Sequence, residues 1–171
     1  MASHLRRDDG RLRLERTGPF MPPVTFPGVG PIVITAKVRE ELQHSELTGA
    51  AFVPVVKHRI VKLDWRSWNL DAAAPLEYPE EGEPENYILE RPHDPAVAIA
   101  LGDLWEVQLG NHAETVRIEG HSALRADTWD ATDLFHPGGT RIPAASEQAA
   151  DWFRLRYPEW VYLDELKIAQ G

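Results

Sequence analysis

The sequence predicts an α+β domain with a mixed or antiparallel sheet, two short helices and a projecting acidic loop. Three observations carry that expectation. Val61, Leu63 and Trp65 alternate with Lys62, Asp64 and Arg66, the period of a strand with one buried face. Two segments place apolar residues at helical spacing behind a capping hydroxyl: Thr35 before Val38 and Leu42, and Ser146 before Ala149 and Phe153. Between Asp71 and Glu90 stand seven acidic residues and no basic one, punctuated by Pro75, Pro79, Gly82 and Pro84, the composition of a surface loop.

In chain order, residues 1–30 hold five arginines and then a run rich in proline and glycine, which predicts an irregular lead-in to a single domain spanning 31–171. Ile32 to Ile34 then read as a short strand, and Thr35 caps a helix whose wet side is Lys37, Arg39, Glu40, Glu41 and Gln43. Gly49 closes that unit, and Ala51 to Val56 return as a strand. The alternating strand through Leu63 follows, then the acidic loop over 71–90. A short helix is expected after Pro95, broken by Gly102, with strands over Leu104 to Leu109 and Thr115 to Glu119. Residues 125–139 read as turns. Strand, Ser146-capped helix and a strand from Trp160 to Leu163 complete the chain. Thr35, Val38 and Leu42 match Ser146, Ala149 and Phe153 at a constant offset of 111 residues, which suggests two related strand–helix–strand units.

The 171 residues include no cysteine, so a disulfide framework, a thiolate metal site and a cysteine nucleophile are all excluded. No apolar run reaches the roughly 20 residues of a membrane span, and the start has no secretion-signal pattern, so a cytoplasmic location is expected. A formal charge of −9 argues against direct nucleic-acid binding, which needs a concentrated basic face. The same charge suits encounter with a basic protein.

Candidate chemistry is sparse. Asp127, Asp130, Asp133 and His136 recur every three residues, a spacing that matches neither hard-cation loops nor two-histidine zinc motifs. Turn caps at Asp127 and Asp130, with Trp129, Leu134 and Phe135 packed inward, explain that row more simply. His93 beside Asp94 could act as a general base, although adjacent side chains rarely orient one another as a catalytic pair does. Glu80, Glu81, Glu83 and Glu85 could supply paired carboxylates, but a Pro/Gly-rich loop is a poor mount for two groups at a defined separation. GxSxG, Walker A, GxGxxG and HExxH patterns are absent. No cofactor is expected. Of six tryptophans, Trp65 and Trp160 sit in strand patterns that suggest core positions. Trp68, flanked by Ser67 and Asn69 at the entry to the acidic loop, is the best candidate for an exposed anchor.

The segment PPVTFPGVGPIVITAKVREELQHSELTGAAFVPVVKHRIVKLDWRSW, with YPEEGEPENYILERPHDP, GDLWEV and DATDLF after it, resembles the myxobacterial double-CXXCG motif protein family over about Pro22 to Asp164. The likeness is to the part of those proteins that follows the cysteine motifs, and both CXXCG motifs are missing here. It implies an immunity protein that neutralises a polymorphic toxin delivered by kin cells, with a basic nuclease among the candidate toxins. On that reading the contact set is Trp68, Tyr78, Glu80, Glu81, Glu83, Glu85 and Tyr87. The alternatives are a small metal-dependent hydrolase using His93, His121 or the Asp127 to His136 row, and a scaffold or regulatory adaptor with another protein partner.

Overall fold

A computed structural model describes residues 3–26, 30–63, 71, 88–118, 120–140 and 142–169. Asp9 and Gly10 take φ values of 51° and 76°, the left-handed pair that a two-residue hairpin turn of the favoured twist requires. They join β1 (Ser3–Asp8) to β2 (Arg11–Gly18) in an antiparallel hairpin with Asp8 opposite Arg11. The expected irregular lead-in over 1–30 is therefore corrected: a hairpin occupies most of it. Asp-Gly between alternating Leu12, Leu14 and their polar neighbours outweighs the later prolines, which lie beyond the strands.

The chain divides into two compact units, 1–21 with 54–104, and 22–53 with 105–171. In the first, β2 also pairs in parallel with β6 (Val56–Lys62), giving the order β1-β2-β6. Helix α2 (Pro95–Ala100) begins with Pro95 in its first turn, and the Asp94 carboxylate accepts from the Val97 N–H at 3.0 Å. Ile60 anchors the helix entry. Its N–H donates to His93 Nδ1 at 3.0 Å, and its carbonyl accepts from the Asp94 N–H at 2.7 Å. At the far end Lys57 Nζ donates to the carbonyls of Ala98 and Gly102, a cation placed where the helix dipole is negative. Gly18 admits the close approach of Val97, whose side chain a Cβ there would strike. Leu12, Leu14, Ile60, Val61 and Ile88 are among the buried residues of this unit, while Leu63 is half-buried.

In the second unit β3 (Val24–Thr25), β4 (Ile32–Thr35), β5 (Ala50–Pro54) and β7 (Leu104–Leu109) form a sheet in the order β3-β4-β7-β5. Helices α1 (Ala36–Gln43) and α3 (Glu147–Arg156) contribute Val38, Leu42 and Ala149 to one core with Ile34, Val107, Leu134 and Tyr157. The Tyr157 hydroxyl donates to Glu41 Oε2 at 2.7 Å, tying the end of α3 to α1; burial, then that carboxylate, push its pKa up. A second sheet runs β12 (Ala144–Ala145), β11 (Leu134–Pro137), β8 (Asn111–Ala113), antiparallel on one side of β11 and parallel on the other. A third runs β13 (Ile168–Ala169), β10 (His121–Arg125), β9 (Thr115–Ile118). Ala113, Leu124 and Phe135 make a smaller core, with Trp129 stacked 6.0 Å from Phe135.

The α+β class with mixed sheets is thus as expected, and three helices are described. The related units are alike only in part. Thr35 and Ser146 both stand at helix N-caps, and Val38 and Ala149 are both fully buried. Only Ser146 makes the capping bond, and no strand follows α3 at Trp160 to Leu163. Residues 125–139 also differ from the expected turn: a 3-10 turn, Ala126–Thr128, is followed by β11, because β8 and β12 supply strand partners that no local pattern announces. Gly49, with φ of 91°, closes the β4–α1 segment as expected; a Cβ there would run into the Leu134 carbonyl and the Thr132 side chain.

Candidate functional site

The contact set expected from the sequence, Trp68, Tyr78, Glu80, Glu81, Glu83, Glu85 and Tyr87, lies outside the described residues, as does Trp65. The groups named for the hydrolase alternative are described, and they do not converge on one site. His93 in the first unit uses Nδ1 to accept the Ile60 N–H. His121 is exposed at the start of β10, opposite Ile118. Asp127 is exposed and pairs with Arg125 at 2.7 Å. His136 donates its backbone N–H to Gly110 O at 2.8 Å, and its Nδ1 is buried without a hydrogen-bond partner. Among the described residues no three His, Asp or Glu side chains come together in a way that could hold a metal ion.

Asp130 and Asp133 do more than close turns. The Asp130 carboxylate accepts from the Thr132 N–H at 3.0 Å and meets His112 Nδ1 at 2.8 Å. Hydrogen bonding from Thr132 first, and then from His112, holds its pKa down at about 2. A carboxylate beside Nδ1 favours the proton on that nitrogen, the tautomer that leaves Nε2 as an acceptor. This oriented imidazole borders a shallow cleft with Asn111, Glu114 and Thr128. The Thr128 hydroxyl is already committed, donating to Arg125 O and accepting from the Glu114 N–H, both at 2.8 Å. The cleft offers the imidazole no uncommitted nucleophile among the described residues. No local pattern signals this pair, whose members are 18 positions apart.

A different surface emerges after α3. The N–H groups of Trp160 and Val161 both donate to Tyr157 O, turning the chain into an extended run that lacks regular structure up to β13. Val161 packs against the core, and Leu163 is half-buried. Trp160 and Tyr162 face outward, 40% and 88% exposed, with Leu155, Leu166 and Ile168 also exposed nearby in sequence. Glu159, Asp164 and Glu165 are exposed among them. The expected core position of Trp160 is therefore corrected. The alternation is real, but its phase is reversed, because a period of two states that faces differ without saying which one is covered.

No family model matches the chain, and no curated protein or solved structure matches it either. Among the described residues no helix is long and apolar enough to cross a membrane.

Proposed function

We propose that the protein works by stoichiometric binding to a basic protein partner, as an immunity-type inhibitor of a cognate polymorphic toxin. The supporting observation is the surface after α3, where Trp160 and Tyr162 project among Glu159, Asp164 and Glu165 in a chain of formal charge −9. Large aromatic side chains supply much of the energy of protein association, and surrounding acids steer a basic partner into register. The acidic tract over 71–90, with Trp68, Tyr78 and Tyr87, repeats that chemistry in the sequence. The toxin as partner rests on the family resemblance, and a nuclease with a basic substrate face is the kind of toxin this charge suits. Inhibition of this sort requires a rigid scaffold and no catalytic group of its own.

The test is binding kinetics with the product of the gene next to this one. Trp160→Ala and Tyr162→Ala are expected to speed dissociation about tenfold or more while leaving unfolding within about 1 kcal/mol of the parent, as exposed positions do. Replacing Glu80, Glu81, Glu83 and Glu85 together by glutamine is expected to slow association and flatten its salt dependence. Unchanged rate constants in every variant would remove both segments from the interface.

A further inference from the structure

We propose that Arg39 and Trp105 form a receptor for a single carboxylate. The Arg39 Cζ lies 3.8 Å from the centroid of a Trp105 ring, so the guanidinium on α1 is seated on an indole of β7. Arg39 Nε and Trp105 Nε1 are both buried, and neither has a hydrogen-bond partner among the described residues. Two neighbouring donors are thus withdrawn from water with no acceptor, an arrangement proteins ordinarily avoid.

The helix offers no remedy. Positions three and four residues away hold Thr35, Ala36, Leu42 and Gln43, none of them a carboxylate. Glu41 is engaged elsewhere, by the Tyr157 hydroxyl at 2.7 Å and Lys37 at 3.8 Å. In a chain with 27 acidic and 18 basic residues, this arginine has an aromatic ring as its partner and no described acid. Both residues are only half-buried as wholes, so the pair reaches the surface even though the two nitrogens do not.

The complement of a stacked guanidinium is a planar acceptor with two oxygens, because the fork of N–H groups matches a carboxylate and the ring beneath fixes its plane. A small local adjustment would let one oxygen take the Arg39 Nε–H while the indole N–H is satisfied by the same group. The carboxylate comes either from a small organic acid or from an Asp or Glu side chain of a partner protein. The site does not depend on the toxin reading, since its donors lie on elements other than the surface after α3.

The experiment follows the Trp105 indole N–H and the Arg39 Nε–H by NMR in the full-length ¹⁵N-labelled protein. The probes are sodium acetate and, separately, an end-blocked short peptide with one glutamate, each at constant ionic strength against sodium chloride. The expected result is that both resonances move along one saturable curve while the other five indoles stay still. Arg39→Gln should abolish the movement at Trp105 in a protein with otherwise parental dispersion, and Arg39→Lys serves the same purpose should the glutamine variant misfold. Affinity at least tenfold higher for the peptide assigns the carboxylate to a protein side chain, and equal affinity assigns it to a small acid. No saturable movement with either probe, or equal movement with chloride, overturns the proposal.

Discussion

Phe135→Ala is expected to destabilise the second unit by about 3–5 kcal/mol, the range for removing a fully buried aromatic ring. Phe135 is 2% exposed, packs with Ala113 and Leu124, and stacks on Trp129. Ala113 and Leu124 lie on β8 and β10, so the ring joins two of the unit's three sheets, and the small residues around it leave little that can collapse into the space. Trp129 is also held from its other end, through the indole N–H to Thr132 O at 3.0 Å, and this limits its ability to fill the cavity. Denaturant unfolding with near-UV circular dichroism would report both the lost stability and the lost aromatic packing. A cost below about 1 kcal/mol would mean that this cluster does not hold the sheets together.

Asp133→Ala is expected to cost about 2–4 kcal/mol, because a nearly buried carboxylate joins two otherwise separate features. One oxygen accepts from the Thr48 N–H at 2.9 Å and the Thr48 hydroxyl at 3.0 Å, beside the Gly49 turn. The other accepts from the Ser146 hydroxyl at 2.6 Å, and Ser146 Oγ in turn accepts the Ala149 N–H at 3.1 Å to cap α3. Removing Asp133 leaves two hydroxyls and an amide without their acceptor, and loosens a helix cap and a turn together. Burial raises the Asp133 pKa, but the bonds from Ser146 and Thr48 outweigh it and the net shift is downward. A carboxylate depressed in the folded state contributes stability that is fully present above its unfolded pKa of about 3.9 and is lost as pH falls through the folded value. The stability gap between the parent and Asp133→Asn should therefore be widest near neutral pH and narrow below about pH 4. A gap that stays constant from pH 7 to pH 2 would show that the charge contributes nothing beyond the hydrogen bonds.

Both residues belong to a stretch that reads locally as turn, and the reason is physical. Leu134 to Pro137 becomes a strand by pairing with Asn111 to Ala113 and Ala144 to Ala145, and a local window contains only one side of such a pair. The hairpin at Asp9 and Gly10 is the opposite case. Its turn chemistry and alternation were present in the sequence, but the prolines and glycines that follow masked them. The aromatic and acidic character of a candidate partner surface was legible as composition. Which aromatic residues meet water was not, as the reversed phase at Trp160 shows.

By itself the sequence determined the α+β class, the start of α1 after Thr35, the α3 cap at Ser146, the buried positions Val38, Leu42 and Ala149, the break at Gly102 and the strand Leu104 to Leu109. Each of these depends on backbone preferences and apolar spacing within a few residues, so a short window carries the whole cause. Tertiary structure alone decided that Asp133 would bridge Thr48 and Ser146, that His112 would meet Asp130, and that Arg39 would settle on Trp105 without an acid. Those contacts join residues from 13 to 85 positions apart, the Arg39 stack falling between. They exist because packing the two helices onto the sheet carries side chains to places that no periodicity along the chain encodes.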